Sequence, residues 1–330
     1  MRIGAGFWLK VAACAAGMAA AASTAQAQNF PSKPVTMLIP FAAGGPTDVV
    51  GRLVGEHMGR TLGHPVIIEN AVGAAGTLAG QRLMASPADG HVILIGHTGT
   101  HAAAVSLNPN LKYRPVEDFA PVGLVNTNPI FLTVRKTHPS GTLSEFVTWV
   151  KANEKAASNA HAGVGSVSHT TCLLFNTVVG VKPNGVPYRG TGPAMNDLVA
   201  GQVDYLCDQA VNVAPQHRAG TIKTLAVASV NRATALPDVP TSTEAGVPGF
   251  KVEVWNAMFA PKDTPAPALA KLNQALKAAL ADATVKAKLN ELGAEIPSAE
   301  LQEPAGLRSF VAAEIERWAP IIKASGVKIE

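Results

Sequence analysis

Five short segments set glycine, hydroxyl and charged side chains at the point where a strand signal gives way to a helix signal. The first is Gly44-Gly45-Pro46-Thr47-Asp48. Its two glycines let backbone approach a bound group closely, and Pro46 suits a first helical turn. The free N–H groups of a helix start, reinforced by the helix dipole, favour an anion there. As purely local structure, the same residues make a tight turn with Thr47 or Asp48 as the N-cap. The second segment is Gly163-Val164-Gly165-Ser166-Val167-Ser168-His169, where Ser166 and Ser168 can cap a helix or donate to a carboxylate and His169 lies one turn in. His97-Thr98-Gly99-Thr100 repeats the pattern with hydroxyls. Tyr188-Arg189-Gly190-Thr191-Gly192-Pro193 adds a cation and a glycine pair, and Cys207-Asp208-Gln209 ends an apolar strand in a carboxylate and an amide. Each is weak alone. Their recurrence in both halves of the chain points to capture of a small anion.

Catalysis and metal chemistry fit these residues less well. Ser166, His169 and Asp208 supply the side-chain types of a Ser-His-Asp hydrolase, which stays as a remote alternative. The flanks do not form G-x-S-x-G, and a Ser and His three apart on one helix suit neither a nucleophile elbow nor triad geometry. His97 and His101 are four apart, but His-Thr-Gly-Thr-His lacks the Glu of a zincin and contains a helix-weakening Gly. With no G-x-G-x-x-G opening the first helix and no Walker A sequence, no cofactor, metal or catalytic residue is expected. The other histidines read as surface or satisfied core residues.

The elements that position these turns alternate almost throughout. Val35–Ile39, Val66–Ile68 and Val92–Ile95 read as buried strands, with helices around Val49–Met58 and Leu78–Met84 between them, a succession that predicts a mostly parallel covered sheet. Two extended stretches, Pro121–Val125 and Ile130–Val134, then follow each other around Asn126-Thr127-Asn128-Pro129 with no helix between. A second series runs through helix Leu143–Val150, strand His161–Val164, helix Thr170–Val179, strand Val186–Tyr188, helix Ala194–Ala200, and strands Val203–Cys207 and Ile222–Ala228. After strand Val252–Phe259 the chain finishes in helices around Ala266–Leu280, Ala283–Leu292 and Leu307–Lys323. Helices without a sheet of their own must cover another's. The expected fold class is therefore α/β, two lobes joined by two extended crossings near 120–130 and 225–235, an arrangement that permits hinge closure. Lobe 1 is expected at 28–125 plus 230–330 and lobe 2 at 126–229, with the ligand cleft between them.

The amino end reads as an export signal. Arg2 and Lys10 flank the apolar run Val11 to Ala22, and Ser23-Thr24-Ala25-Gln26-Ala27 fits a signal-peptidase site, so residues 1–27 are expected to be removed after Ala27. The run is shorter than the ~20 residues of a membrane span. A lipoprotein box at Val11-Ala12-Ala13-Cys14 is the rival. Removing Arg2 and Lys10 changes 27 basic against 23 acidic residues to 25 against 23, far from the basic footprint of a nucleic-acid binder. Two of the three cysteines then remain, Cys172 and Cys207. They do not make a disulfide framework and read as two buried small hydrophobes, with pairing in an oxidising compartment left open.

Longer motifs are more specific. Lys33 to Asp48 resembles the opening of the tripartite tricarboxylate transporter receptor (Bug-type) family of periplasmic binding proteins. Further likenesses follow in order: Glu69-Asn70, Asp89-Gly90, Gly163-x-Gly165-Ser166-x-x-His169, Val186-Pro187-Tyr188-Arg189-Gly190, Gly201-Gln202-Val203-Asp204, Leu236-Pro237-Asp238-Val239-Pro240-Thr241 and Glu244-Ala245-Gly246. The resemblance implies a type II periplasmic-binding-protein fold, a periplasmic location, and ligands that are di- or tricarboxylates, amino acids or aromatic acids. It implies one carboxylate held between Gly44, Gly45, Pro46, Thr47 and Asp48 on one side and Gly165, Ser166 and His169 on the other, by backbone amides and bridging waters. The rest of the ligand would meet Thr98, Thr100, Tyr188, Arg189, Asp208 and Gln209. Implied partners are the membrane permease subunits of a tripartite transporter, with presentation to a sensor kinase as the alternative; a monomer with no nucleic-acid partner is expected. Two departures matter. Ala42 stands where Pro is usual, and Ala71-Val72 replaces an Arg-Pro, which argues against a highly charged ligand such as citrate. Asp208 suits either a ligand amine or hydroxyl or the cap of the next helix.

Overall fold

A computed structural model describes residues 30–325; the expected signal segment, with Cys14, lies outside them. Strand β1 (Val35–Ile39) is apolar and almost fully buried, as a central parallel strand must be. Helix α1 (Pro46–Leu62) lies on it closely because Gly51 carries no side chain: a Cβ there would come within 2.6 Å of Ile39 Cδ1. Gly63 ends α1 in the left-handed conformation, φ 75°. Strand β2 (Val66–Asn70) and strand β3 (Val92–His97) both run parallel to β1, with helix α2 (Thr77–Met84) between them. Past β3 the chain makes one wide π-helical turn, Gly99–Ala103, and the short helix α3 (Ala104–Leu107).

The crossing differs from expectation. Strand β4 runs unbroken from Phe119 to Arg135, where the sequence reads as two stretches around a break. Its Asn-Thr-Asn-Pro centre stays in the ladder, pairing Asn126 to Pro129 antiparallel with Asn256 to Glu253 of strand β9 (Glu253–Pro261). Register shifts near Pro121 and Leu124 absorb the irregularity. Beyond Pro129 the same strand pairs with strand β7 (Tyr205–Gln209) and strand β8 (Ile222–Val227).

Between these come helix α4 (Leu143–Ala152), started by a Thr142–Glu145 capping box, strand β5 (Ser158–His161), helix α5 (Val167–Val179), strand β6 (Asn184–Pro187) and helix α6 (Thr191–Val199). β5 is parallel to β6 and β7. Helix α7 (Ala210–Arg218) has no bounds in the sequence, where it enters only as the helix that Asp208 could cap: Pro215 sits inside it and its period is weak, but Ala210, Val211, Val213 and Ala214 are buried and hold it. Helices α8 (Ala266–Ala281), α9 (Ala283–Glu291) and α10 (Pro304–Ser325) follow β9. α8 covers α1 and β4, and α10 lies across β4 and the π turn.

The strand order is β2-β1-β3-β9-β4-β7-β5-β6, with β8 also on β4. Two α/β lobes thus share β4 and the chain around Ala228, whose N–H donates to Ile130 O and whose carbonyl accepts from Val252. The loop between β8 and β9 packs Ala233, Leu236 and Val239 on Leu198, Leu206 and Val213, and Phe250 edge-on against Phe175. Cys172 on α5 and Cys207 on β7 form a disulfide, Cα–Cα 5.3 Å, and both are fully buried. The reading of two separate buried thiols is corrected: burial holds, but the helix face and the strand end bring the two side chains together. No helix among the described residues is long and apolar enough to cross a membrane.

Candidate functional site

A cleft with about 340 Å³ of space outside the atoms opens where the carboxyl ends of β1, β3, β5 and β7 meet. Open α/β sheets place ligands there. Its walls include Gly45, Pro46, Thr47, Ser166, Asp208 and Gln209 from the expected residues. Phe41, His97, Ala162, Val167, Ser168 and Thr191 join them.

Each side of the cleft presents a helix start. On α1 the N-cap is Gly45, which has no side chain to cap with, so the amides of Thr47 and Asp48 lack both intrahelical and capping partners. Gly44 supplies φ +82° for the turn. Asp48 is behind this turn rather than in the cavity. Its carboxylate accepts from Gly44 N–H at 3.0 Å, from Asn70 at 2.9 Å, and from both Nε and Nη2 of Arg52 at 2.9 Å. Burial alone would raise the pKa of Asp48, but these bonds outweigh it and hold the carboxyl below its usual range. Asp48 therefore acts on the turn as a clamp. Thr47 is aimed inward, its hydroxyl donating to Asn256 Oδ1 at 3.3 Å.

On α5, Ser166 is the N-cap and accepts the His169 amide at 3.3 Å, leaving the Val167 and Ser168 amides free. Ser168 Oγ accepts from Ala162 N–H at 2.9 Å. The His169 ring turns away from Ser166: its Nδ1 accepts from Gly165 N–H at 3.2 Å, and the ring meets His161 edge-on at 4.8 Å. Burial, with the His161 charge beside it, pushes His169 down to about 4, so it is neutral near pH 7. The side-chain bond from base to nucleophile that a hydrolase requires is missing among the described residues.

The remaining expected residues divide. Thr98 and Thr100 are buried but spend their hydroxyls on structure, Thr98 accepting from Trp255 N–H at 2.9 Å and Thr100 donating to His97 O at 3.2 Å. Tyr188 donates to Asp197 at 2.6 Å, and burial with that carboxylate raises its pKa to about 12. The Arg189 side chain is exposed, while its carbonyl accepts from Ala42 N–H at 3.1 Å across the cleft. Gln209 accepts from Asn128 at 2.8 Å. Asp208 faces the cavity fully buried, with Asn212 donating to it at 2.6 Å and the Gln209 amide at 2.8 Å; burial pushes its pKa up to about 6. Phe41 escapes sequence reading because it stands outside the glycine turns, and His97, though it opens the His97-Thr98-Gly99-Thr100 segment, is weighed there only as half of a metal pair; its place as the last residue of a buried strand was the available signal. No group of three or more metal-ligating side chains converges among the described residues.

Two opposed helix starts at the strand ends of two lobes define a clamshell solute receptor. Residues 50–327 match the model of the tripartite tricarboxylate transporter family receptor. The UPF0065 protein in the TAR-I ttuE-ttuC' intergenic region of Agrobacterium vitis is 42% identical over 303 residues, 92% of this chain and 87% of that one. The structure of MatC from Rhodopseudomonas palustris with bound malate is 48% identical, with a TM-score of 0.87 over 89% of this chain and 100% of that one. An R. palustris structure with adipate is 32% identical, with a TM-score of 0.86 over 91% of this chain and 99% of that one. The chain belongs to the tripartite tricarboxylate transporter receptor family, and its fold is that of the periplasmic binding proteins.

Proposed function

We propose that this chain is a non-catalytic periplasmic receptor that closes on a small dicarboxylate and delivers it to the membrane permease subunits of a tripartite transporter. The observation behind it is the pair of helix starts, α1 and α5, whose free amides face one cavity from opposite lobes. Charge-assisted bonds from such amides are strong and need no cationic side chain. Malate in the MatC structure and adipate in the second R. palustris structure support this ligand class. The absence of Arg at position 71 favours a dicarboxylate over citrate. The site residues we propose are the amides of Gly45, Thr47 and Asp48 and those of Val167 and Ser168, with Thr47, Ser166, Asp208 and Gln209 contributing side chains. The lobes are proposed at 28–125 plus 230–330 and 126–229, with the loop carrying Ala233 to Val239 docked on lobe 2. The leader is proposed as residues 1–27.

Thermal-shift screening of malate, succinate, adipate and citrate, beside neutral and cationic solutes, tests this. A ligand at 100 times its Kd adds about 2.7 kcal/mol of stability. If no carboxylate raises the melting point while a cation or neutral solute does, anion capture is wrong.

A further inference from the structure

Resting on the carboxylate site proposed above, we propose that His97 donates its Nε2–H to the captured ligand as an uncharged donor, locked in one tautomer by the backbone of its own turn. The ring nitrogen Nδ1 accepts two amides, Gly99 N–H at 2.9 Å and Thr100 N–H at 3.2 Å. With that lone pair occupied, a neutral imidazole carries its proton on Nε2. The ring is neutral because burial pushes its pKa down to about 4. Nε2 has no hydrogen-bond partner among the described residues, and the ring lines the cavity. Its direction is fixed on two sides. Phe41 stacks on it at 4.9 Å with planes 8° apart. Gly99 leaves room for it, since a Cβ there would stand 2.7 Å from His97 Cε1 and 3.1 Å from the Val167 amide nitrogen. The ring and Val167, the first residue of α5, line the same cavity, so a carboxylate bound there can meet a donor from each lobe. An oriented N–H without charge donates to a carboxylate or carbonyl oxygen there and rejects an ammonium, which has no acceptor to offer.

Calorimetric titration of L-malate into wild type, His97→Phe and His97→Gln tests the assignment. Phe keeps the stack on Phe41 and removes the donor; the expected loss is tenfold or more in affinity, in line with a hydrogen bond to a charged group. Gln restores part of it through its amide N–H. In 15N imidazole spectra of the wild type, His97 should hold its proton on Nε2, and that resonance should move when malate is added. If the wild type binds no carboxylate, the functional proposal fails. If it binds malate and His97→Phe, with an unchanged melting point, binds within twofold, the role of His97 fails alone. A proton found on Nδ1, or an Nε2 resonance that malate leaves unmoved, also overturns it, even where His97→Phe does not fold.

Discussion

Asp48 and Asp208 are the same residue type in one molecule, shifted in opposite directions by their partners. Asp48 has a guanidinium, an amide side chain and a backbone N–H around it; Asp208 has neutral donors only, from Asn212, Gln209 and Thr191. A carboxyl raised from 3.8 to about 6 on folding binds more protons in the native state than in the unfolded one between those values. Stability therefore falls as pH rises from about 4 to about 6 and stays lowered above, by about 1–3 kcal/mol. Asp208→Asn should consequently unfold at higher urea than wild type at pH 7.5, with the gap shrinking at pH 4; an equal gap at both pH values would mean that the carboxyl is not desolvated. Such a cost at a cavity wall fits a group kept for its ligand. Residue roles were only partly legible in the sequence. The glycine turns at 44–45 and 163–165 mark the cavity because their φ demands are local. Which side chains face it is not local: Asp48 reads as a ligand contact until Arg52 and Asn70 are seen around it, and His97 reads only as half of a poor metal pair with His101 until its Nδ1 is seen to be occupied.

The elements were more legible. Apolar runs bounded by Pro and Gly locate β1 to β3 within a residue or two, and the helical spacing of α1, α8 and α10 survives intact. Two misreadings share a cause, that tertiary burial overrides local breakers: Pro129 inside β4 is tolerated opposite Glu253, and Pro215 inside α7 is held by the buried alanines and valines around it. The disulfide belongs at this scale too, because it ties the helix whose start lines the cavity to the strand that carries Asp208. A closed loop of 35 residues contributes about 4 kcal/mol in the chain-entropy account. Reduction, or Cys172→Ala with Cys207→Ala, should lower the urea midpoint accordingly and weaken ligand affinity. A double variant as stable as wild type would show that packing alone holds α5 on β7.

Across the whole molecule, the lobes meet through bare backbone. Gly192 at the start of α6 lies so close to the first turn that a Cβ would come within 3.0 Å of Gly44 C and 3.1 Å of Gly45 N. Gly192→Ala should therefore act as a wedge: Ala favours the helix by up to about 1 kcal/mol, so the melting point without ligand should not fall, while ligand affinity drops tenfold or more. Calorimetry beside melting curves separates the two, and unchanged affinity would mean that the lobes do not need this contact to close.

The staple between Cys172 and Cys207 also bears on where the receptor becomes competent. Thiols stay reduced in the cytoplasm and pair outside it, so a copy still in the cytoplasm would lack the bond that steadies α5 at the cavity. Newly made chains would hold metabolic carboxylates weakly, and the grip would tighten only after delivery. Oxidation would then be the last step of maturation, keeping the receptor from sequestering the cell's own metabolites on its way out.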